Sequence, residues 1–191
     1  MRHHDAPNPR RERRPPRPLD AARLDELALT YVARFATTAA RLEAYLRRKL
    51  AERGWDGPAP ADPAAVAARC VQAGYVDDAA YARMKQGSLL RRGYGPRRVA
   101  QALALAGVAD DVRQDMPDCA ADARRAALAL AAKRRFGPFG PALPDRPTRE
   151  KQIAAMLRAG HALDTARRLV EAQTIEQAER WACPGDETPC D

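Results

Sequence analysis

Three glycines recur at equal intervals along the chain and constrain its fold more than any other feature. Gly54, Gly107 and Gly160 stand 53 residues apart, and each has an apolar residue four positions before it. Glycine is typical of a helix C-terminus, because it readily adopts the left-handed backbone conformation found there. Basic residues lie upstream of each glycine as well. The pattern predicts tandem copies of one helical unit.

Apolar residues at three- and four-residue spacing predict helices within each unit. Leu24, Leu27, Tyr31 and Phe35 form one such stripe, which we expect to be buried. Aromatic residues make up only 5% of the chain and alanine is frequent, which favours modest, closely packed helices over a sheet. We therefore predict an all-α fold of three tandem three-helix repeats, arranged as a small solenoid or as a string of modules.

Capping residues and composition predict the boundaries of these units. Thr38 and Asp77 precede helical stretches, and Thr148 is expected to cap the helix that ends at Gly160. The predicted organisation is a disordered basic arm over 1–19, repeats over 20–75, 76–117 and 118–175, a proline-rich loop at 137–147 within the last, and a terminal turn with an acidic tail over 176–191.

Charge is distributed unevenly along the chain. The net charge is +8 and the isoelectric point is about 9.8. Residues 1–19 carry six arginines against two acidic residues, whereas residues 171–191 carry one arginine against six acidic residues. A basic body between a basic arm and an acidic tail indicates an anionic partner. The alternative is that the arginines only solvate an alanine-rich helical bundle.

The residues that catalysis or metal binding would need are poorly represented. The four cysteines show no C-x-x-C spacing, and two of the three histidines lie in the basic arm. We expect no metal, no cofactor and no enzymatic activity. No apolar run approaches the roughly 20 residues of a membrane span, and the N-terminus lacks the apolar core of a signal peptide. These features predict a cytoplasmic monomer without a membrane partner.

Basic clusters at the predicted helix ends are the remaining functional signal. Their arginines and lysines can contact nucleic-acid phosphates or an acidic protein surface, and both readings stay open. Tyr94 and Phe136 either stack on bases or pack between helices. The candidate partner-binding residues are Arg47, Arg48, Lys49, Arg91, Arg92, Tyr94, Arg97, Arg98, Lys133, Arg134, Arg135, Arg149 and Lys151.

Several stretches, taken in order, resemble the RecX family of bacterial regulatory proteins. GYVDDAAYA (74–82) is similar to the family pattern Gly-Tyr-Leu-Asp-Asp-x-x-Phe-Ala, and GYGPRRVAQALALAGV (93–108) is similar to Gly-x-Gly-Pro-x-x-Ile…Leu…Gly. RLEAYLRRKLAERGW (41–55) and REKQIAAMLRAG (149–160) resemble the corresponding helices of the first and third repeats. The resemblance covers about residues 20–175.

The resemblance implies a curved, elongated module that regulates the RecA recombinase. Members of that family bind within the groove of RecA–DNA filaments and hinder filament growth. They thereby limit strand exchange, ATP hydrolysis and the co-protease activity that triggers the SOS response. The implied partners are RecA, its nucleoprotein filament and, more weakly, single- or double-stranded DNA. The alternative is a general nucleic-acid-binding helical protein that uses its basic arm and arginine clusters.

Overall fold

A computed structural model describes residues 17–117 and 120–184, and every regular element within them is helical. Among these residues, the one β-type pairing is an isolated parallel β-bridge between Leu19 and Trp55. The predicted all-α fold is confirmed. Most of the predicted basic arm and most of the acidic tail lie outside the described residues.

The helices of the described residues follow one another in groups of three. They are α1 (Ala21–Val32), α2 (Ala39–Arg53), α3 (Pro63–Gln72), α4 (Asp78–Arg91), α5 (Pro96–Leu105), α6 (Asp110–Gln114), α7 (Ala120–Arg134), α8 (Arg146–Arg158), α9 (Leu163–Val170) and α10 (Ile175–Ala182). Helices α1–α3, α4–α6 and α7–α9 form the three repeats, and α10 packs against α7.

Each repeat buries its own apolar cluster around its middle helix. Leu42 and Leu46 of α2 are fully buried in the first cluster, and Leu103 of α5 is buried in the second. Met156 of α8 is fully buried in the third. Burial of these side chains supplies the main stabilising free energy of each unit. The predicted tandem three-helix repeats are therefore present.

The three middle helices are linked end to end. The Thr38 hydroxyl at the start of α2 donates a hydrogen bond to the Ala106 carbonyl at the end of α5, at 2.5 Å. In the same way, the Gly95 N–H at the start of α5 donates to the Ala159 carbonyl at the end of α8, at 2.9 Å. Each N-terminus thus satisfies a carbonyl that a helix end leaves free. The 53-residue glycine interval marks this repeated joint.

The two seams between repeats differ in composition. At the seam of the first and second repeats, the Ala39 N–H donates to Asp78 Oδ1 at 2.9 Å, and Arg41 Nη1 donates to Tyr81 Oη at 2.6 Å. At the seam of the second and third repeats, α4 packs along α7, and Ala126 of α7 belongs to the second apolar cluster. The first seam is therefore mainly polar, whereas the second is also apolar.

Residues 17–19, which the sequence assigned to the arm, belong to the folded part. Leu19 is fully buried, and its N–H donates to the Gly54 carbonyl at 3.0 Å. The Arg97 N–H makes the equivalent bond to the Gly160 carbonyl at 3.1 Å, from the adjoining repeat. Leu19 thus occupies, at the end of the first repeat, the position that a neighbouring repeat would take. Burial of its apolar side chain explains why Leu19 belongs to the folded part.

Two local predictions were wrong. Phe35 was expected in the buried stripe, but 56% of its surface is exposed, because α1 ends before it. Thr148 does not cap α8; Asp145 does, and it accepts the Thr148 N–H at 3.0 Å. Hydrogen bonds from Thr148 lower the pKa of Asp145, as expected for a carboxylate at a helix N-terminus.

The C-terminal elements are more ordered than the sequence predicted. A short 3-10 helix (Gly137–Phe139) occupies the start of the proline-rich loop, and α8 already begins at Arg146, before that loop was expected to end. The predicted terminal turn is the two-turn helix α10. Its Ala178 and Ala182 are buried, because these small side chains let α10 approach α7 closely.

Candidate functional site

Three helix C-termini meet at the seam between the second and third repeats. Arg92 caps α4, Lys133 and Arg134 lie in the last turn of α7, and Arg158 ends α8. A helix C-terminus carries partial negative charge, which stabilises a nearby cation. This arrangement explains how four basic side chains can lie close together without acidic neighbours.

These side chains line a cavity of about 340 Å³ that we call the cationic cleft. The Arg92 guanidinium lies over the Tyr94 ring, 5.5 Å from its centre, which is a cation–π distance. Positive φ angles at Gly93 and Arg135 turn the chain after α4 and α7 and direct the following aromatic residues toward the seam. The polar and aromatic side chains lining the cleft are Arg92, Tyr94, Lys133, Arg134, Phe136 and Arg158.

The four cations of the cleft have no acidic partner among residues 17–117 and 120–184. Unpaired cations that share one concave surface raise the local positive potential more than scattered, paired ones. Tyr94 and Phe136 are half-buried and pack against the second and third apolar clusters. The cleft therefore combines fixed aromatic walls with charge that is free to meet an anion.

The predicted basic cluster on α2 has a different environment. Arg47 Nη2 lies 2.5 Å from Glu43, and Lys49 Nζ lies 2.5 Å from Glu52. Arg48 pairs with Glu52 at 3.6 Å. These pairs join residues three or four positions apart on one exposed helix face. Two glutamates thus offset most of the charge of this cluster, which the sequence had ranked with the others.

The remaining predicted residues lie outside the lining of the cleft. Arg91, Arg97 and Arg135 are exposed. Arg98 Nη1 donates to Gln101 at 2.8 Å. Lys151 is exposed on α8, whereas Arg149 is half-buried and donates weakly to the Pro144 carbonyl at 3.5 Å. The thirteen predicted residues therefore do not form one surface; the structure brings together Arg92, Tyr94, Lys133 and Arg134.

Arg158 is the cleft residue that the sequence analysis missed. It stands alone, two positions before Gly160, whereas the predicted residues lie mostly in runs of adjacent basic residues. The corresponding positions of the other repeats hold Glu52 and Leu105, so the repeat pattern does not indicate it either. A basic residue in the last turn of a helix that precedes a recurring glycine is the signal that could have identified it.

A buried histidine lies beside the cleft at the same seam. His161 is 1% exposed, and its Nε2 donates to the Gly93 carbonyl at 3.0 Å. Its Nδ1 is buried and has no hydrogen-bond partner among the described residues. Burial lowers the pKa of His161, although the bond to Gly93 acts in the opposite direction. The ring is therefore neutral, with its proton on Nε2, and it joins the two repeats.

We expect the chain to lose stability when the solution becomes mildly acidic. In the unfolded state His161 takes up a proton at the ordinary histidine pKa of about 6.5, whereas in the folded state its pKa is lower. The contribution of neutral His161 to the free energy of unfolding is therefore complete above pH 6.5 and declines as the pH falls below it. From about pH 7.5 to pH 5.5 the loss should be on the order of 1 kcal/mol. Urea unfolding at both values measures it. His161→Gln, which keeps a donor but cannot titrate, should show a smaller decline; an identical decline would contradict the assignment.

The described part of the chain contains neither a metal-binding cluster nor a helix suited to a membrane. Within it, no three histidine, cysteine, aspartate or glutamate side chains are grouped so that they could hold a metal ion. None of its helices has the length and apolar character that crossing a membrane requires.

Comparison with known proteins gives consistent matches. Residues 77–116 match the family profile described as RecX, second three-helix domain. The chain is 33% identical over 177 residues to the regulatory protein RecX of Myxococcus xanthus, covering 87% of this chain and 95% of that protein. It is also 36% identical over 110 residues to the regulatory protein RecX of Thermus thermophilus, covering 57% of this chain and 70% of that protein.

A solved structure shares the fold. The crystal structure of RecX from Lactobacillus salivarius superimposes with a TM-score of 0.56 at 18% sequence identity, over 76% of this chain and 90% of that chain. At this identity the superposition concerns the fold, and it agrees with the three tandem repeats described above.

Proposed function

This chain belongs to the RecX family of regulatory proteins, and we propose that it binds the RecA recombinase and its filaments on DNA. In this proposal it restrains filament growth and thereby lowers strand exchange, ATP hydrolysis and co-protease activity in DNA repair and the SOS response. It acts in the cytoplasm, as a monomer, by binding rather than by catalysis. In the proposed complex the anionic partner is contacted by the residues of the cationic cleft: Arg92, Tyr94, Lys133, Arg134 and Arg158.

The cationic cleft is the observation that carries this proposal. Four basic side chains without acidic partners among the described residues face one cavity between two repeats. An acidic protein surface or a phosphate backbone can supply the missing charge, and Arg binds carboxylate and phosphate oxygens through paired donors. Repeats linked end to end can also make several weak contacts along a filament together, which raises the overall affinity.

The test is a RecA ATPase assay on circular single-stranded DNA. Adding this chain at up to equimolar amounts is expected to lower the steady-state rate of hydrolysis, because filaments that stop growing hold fewer active subunits. Electron microscopy of the same samples should show shorter filaments. An unchanged rate and unchanged filament lengths at equimolar chain would refute the proposal.

A general nucleic-acid-binding function is the second candidate, because the unpaired cations of the cleft also suit phosphates. It predicts strong binding to naked DNA that weakens steeply as salt is raised. Titrating labelled DNA at two salt concentrations without RecA separates the candidates. Strong DNA binding together with no effect on RecA would favour this second function.

A further inference from the structure

An aromatic row crosses the first repeat, away from the cationic cleft. The rings of Tyr31 and Tyr45 are stacked, with centres 4.2 Å apart and planes inclined by 20°. Phe35 continues the row, 5.3 Å from Tyr31. Tyr31 and Tyr45 are half-buried against the first apolar cluster, whereas Phe35 is 56% exposed. The row is therefore anchored in the core at one end and open to solvent at the other.

The exposed end of the aromatic row is held in place by its backbone. The N–H groups of Arg34 and Phe35 both donate to the Tyr31 carbonyl, at 3.1 and 3.0 Å. Three residues later, Thr38 is fully buried and bonded to the second repeat. The backbone at Phe35 thus loses little further freedom when a ligand binds, which lowers the entropic cost of binding.

Basic residues lie at both ends of the row. Arg34 is exposed and has no acidic partner among the described residues. Arg48 and Lys49 lie over the Tyr45 ring, at 5.5 and 5.9 Å from its centre. Glu52 pairs with both, so the two cations are not fully neutralised by the single carboxylate. A ring platform bordered by cations is the arrangement that binds unpaired bases and their phosphates.

We propose that the aromatic row is a stacking site for the unpaired bases of single-stranded nucleic acid. A base stacks on the open face of Phe35, and Arg34 contacts the adjoining phosphate. The cations favour this partner over a purely apolar protein surface, which would leave them without counter-charge. The site lies on a different repeat from the cationic cleft and does not depend on the proposed action on RecA.

The test compares oligothymidylate with an abasic oligonucleotide of the same length, by fluorescence anisotropy of the labelled strand. Both carry the same phosphate charge, so their difference in affinity measures base stacking. The wild-type chain should bind the base-bearing strand about tenfold more tightly. Phe35→Ala should remove most of this preference and leave affinity for the abasic strand unchanged, whereas Phe35→Trp should retain it.

Phe35→Leu is the matched control, because it keeps an apolar side chain but removes the ring; it should behave as Phe35→Ala does. Oligouridylate should bind with a similar dependence on Phe35, since stacking does not involve the sugar, and duplex DNA should show none. Thermal unfolding checks that the variants remain folded. Equal binding of thymidylate and abasic strands by the wild-type chain would overturn the proposal, as would a Phe35→Ala variant that keeps the base preference.

Discussion

Replacing Gly160 by alanine is expected to destabilise the chain by about 3 kcal/mol, through backbone strain and collision together. Gly160 has φ +96°, where an L side chain costs about 1–2 kcal/mol. A Cβ there would also lie 2.5 Å from the backbone nitrogen of Arg98 in the neighbouring repeat, and overpacking of this kind costs about 1–3 kcal/mol more. Urea unfolding at neutral pH measures the loss.

Gly54 provides the matched control, because it is the same glycine of the repeat at a joint with no neighbouring repeat. Its φ is +78°, but a Cβ would meet nothing within 4 Å. Gly54→Ala should therefore cost only the strain, about 1–2 kcal/mol. Gly95→Ala tests the collision without the strain, since its φ of −84° suits alanine while a Cβ would overlap the backbone of Gly160. Equal losses in the free energy of unfolding for Gly54→Ala and Gly160→Ala would contradict the close contact between repeats at Gly160.

Removing two charges from the cationic cleft should weaken inhibition of RecA at least tenfold. The change is Arg134→Gln with Arg158→Gln, which eliminates two unpaired cations that face one cavity. Arginine contacts at the centre of an interface often contribute about 2 kcal/mol or more each. The measurement is the concentration of chain that halves the RecA ATPase rate on single-stranded DNA.

Arg47→Gln with Arg146→Gln lowers the net charge equally and serves as the control. These arginines pair with Glu43 and Glu150 on exposed helix faces, where an ion pair contributes at most about 1 kcal/mol. We expect the control to change potency by no more than about twofold. Equal loss of potency in both double variants would show that overall positive charge, rather than the cleft, governs inhibition.

Local signals in the sequence predicted most of the fold. The recurring glycines have positive φ angles at Gly54, Gly107 and Gly160, and Thr38 and Asp77 cap the helices that they were expected to cap. These features depend on the conformations of a few adjacent residues, so a pattern can reveal them. The exposure of Phe35 could not be predicted in this way, because helical spacing does not tell where α1 ends.

The candidate site was only partly predictable. Arg92 and Arg134 each lie in a run of adjacent basic residues and were identified from it. Arg158 lies near them only because α4, α7 and α8 pack together. Conversely, the run that begins at Arg47 was predicted to be strongly basic, but Glu43, four residues earlier, pairs with Arg47. Sequence shows which charges are present, whereas their neutralisation depends on side-chain geometry.

Because the two seams differ in composition, we expect the three repeats to unfold as two cooperative units. The second and third repeats share apolar contacts through Ala126 and should unfold together, whereas the first is joined mainly by polar bonds and has its own core. Each unit contains one of the two tryptophans of the chain: Trp55 packs on the first cluster and Trp181 on the third. The variants Trp181→Phe and Trp55→Phe, each of which keeps one tryptophan, can therefore report on the two units separately.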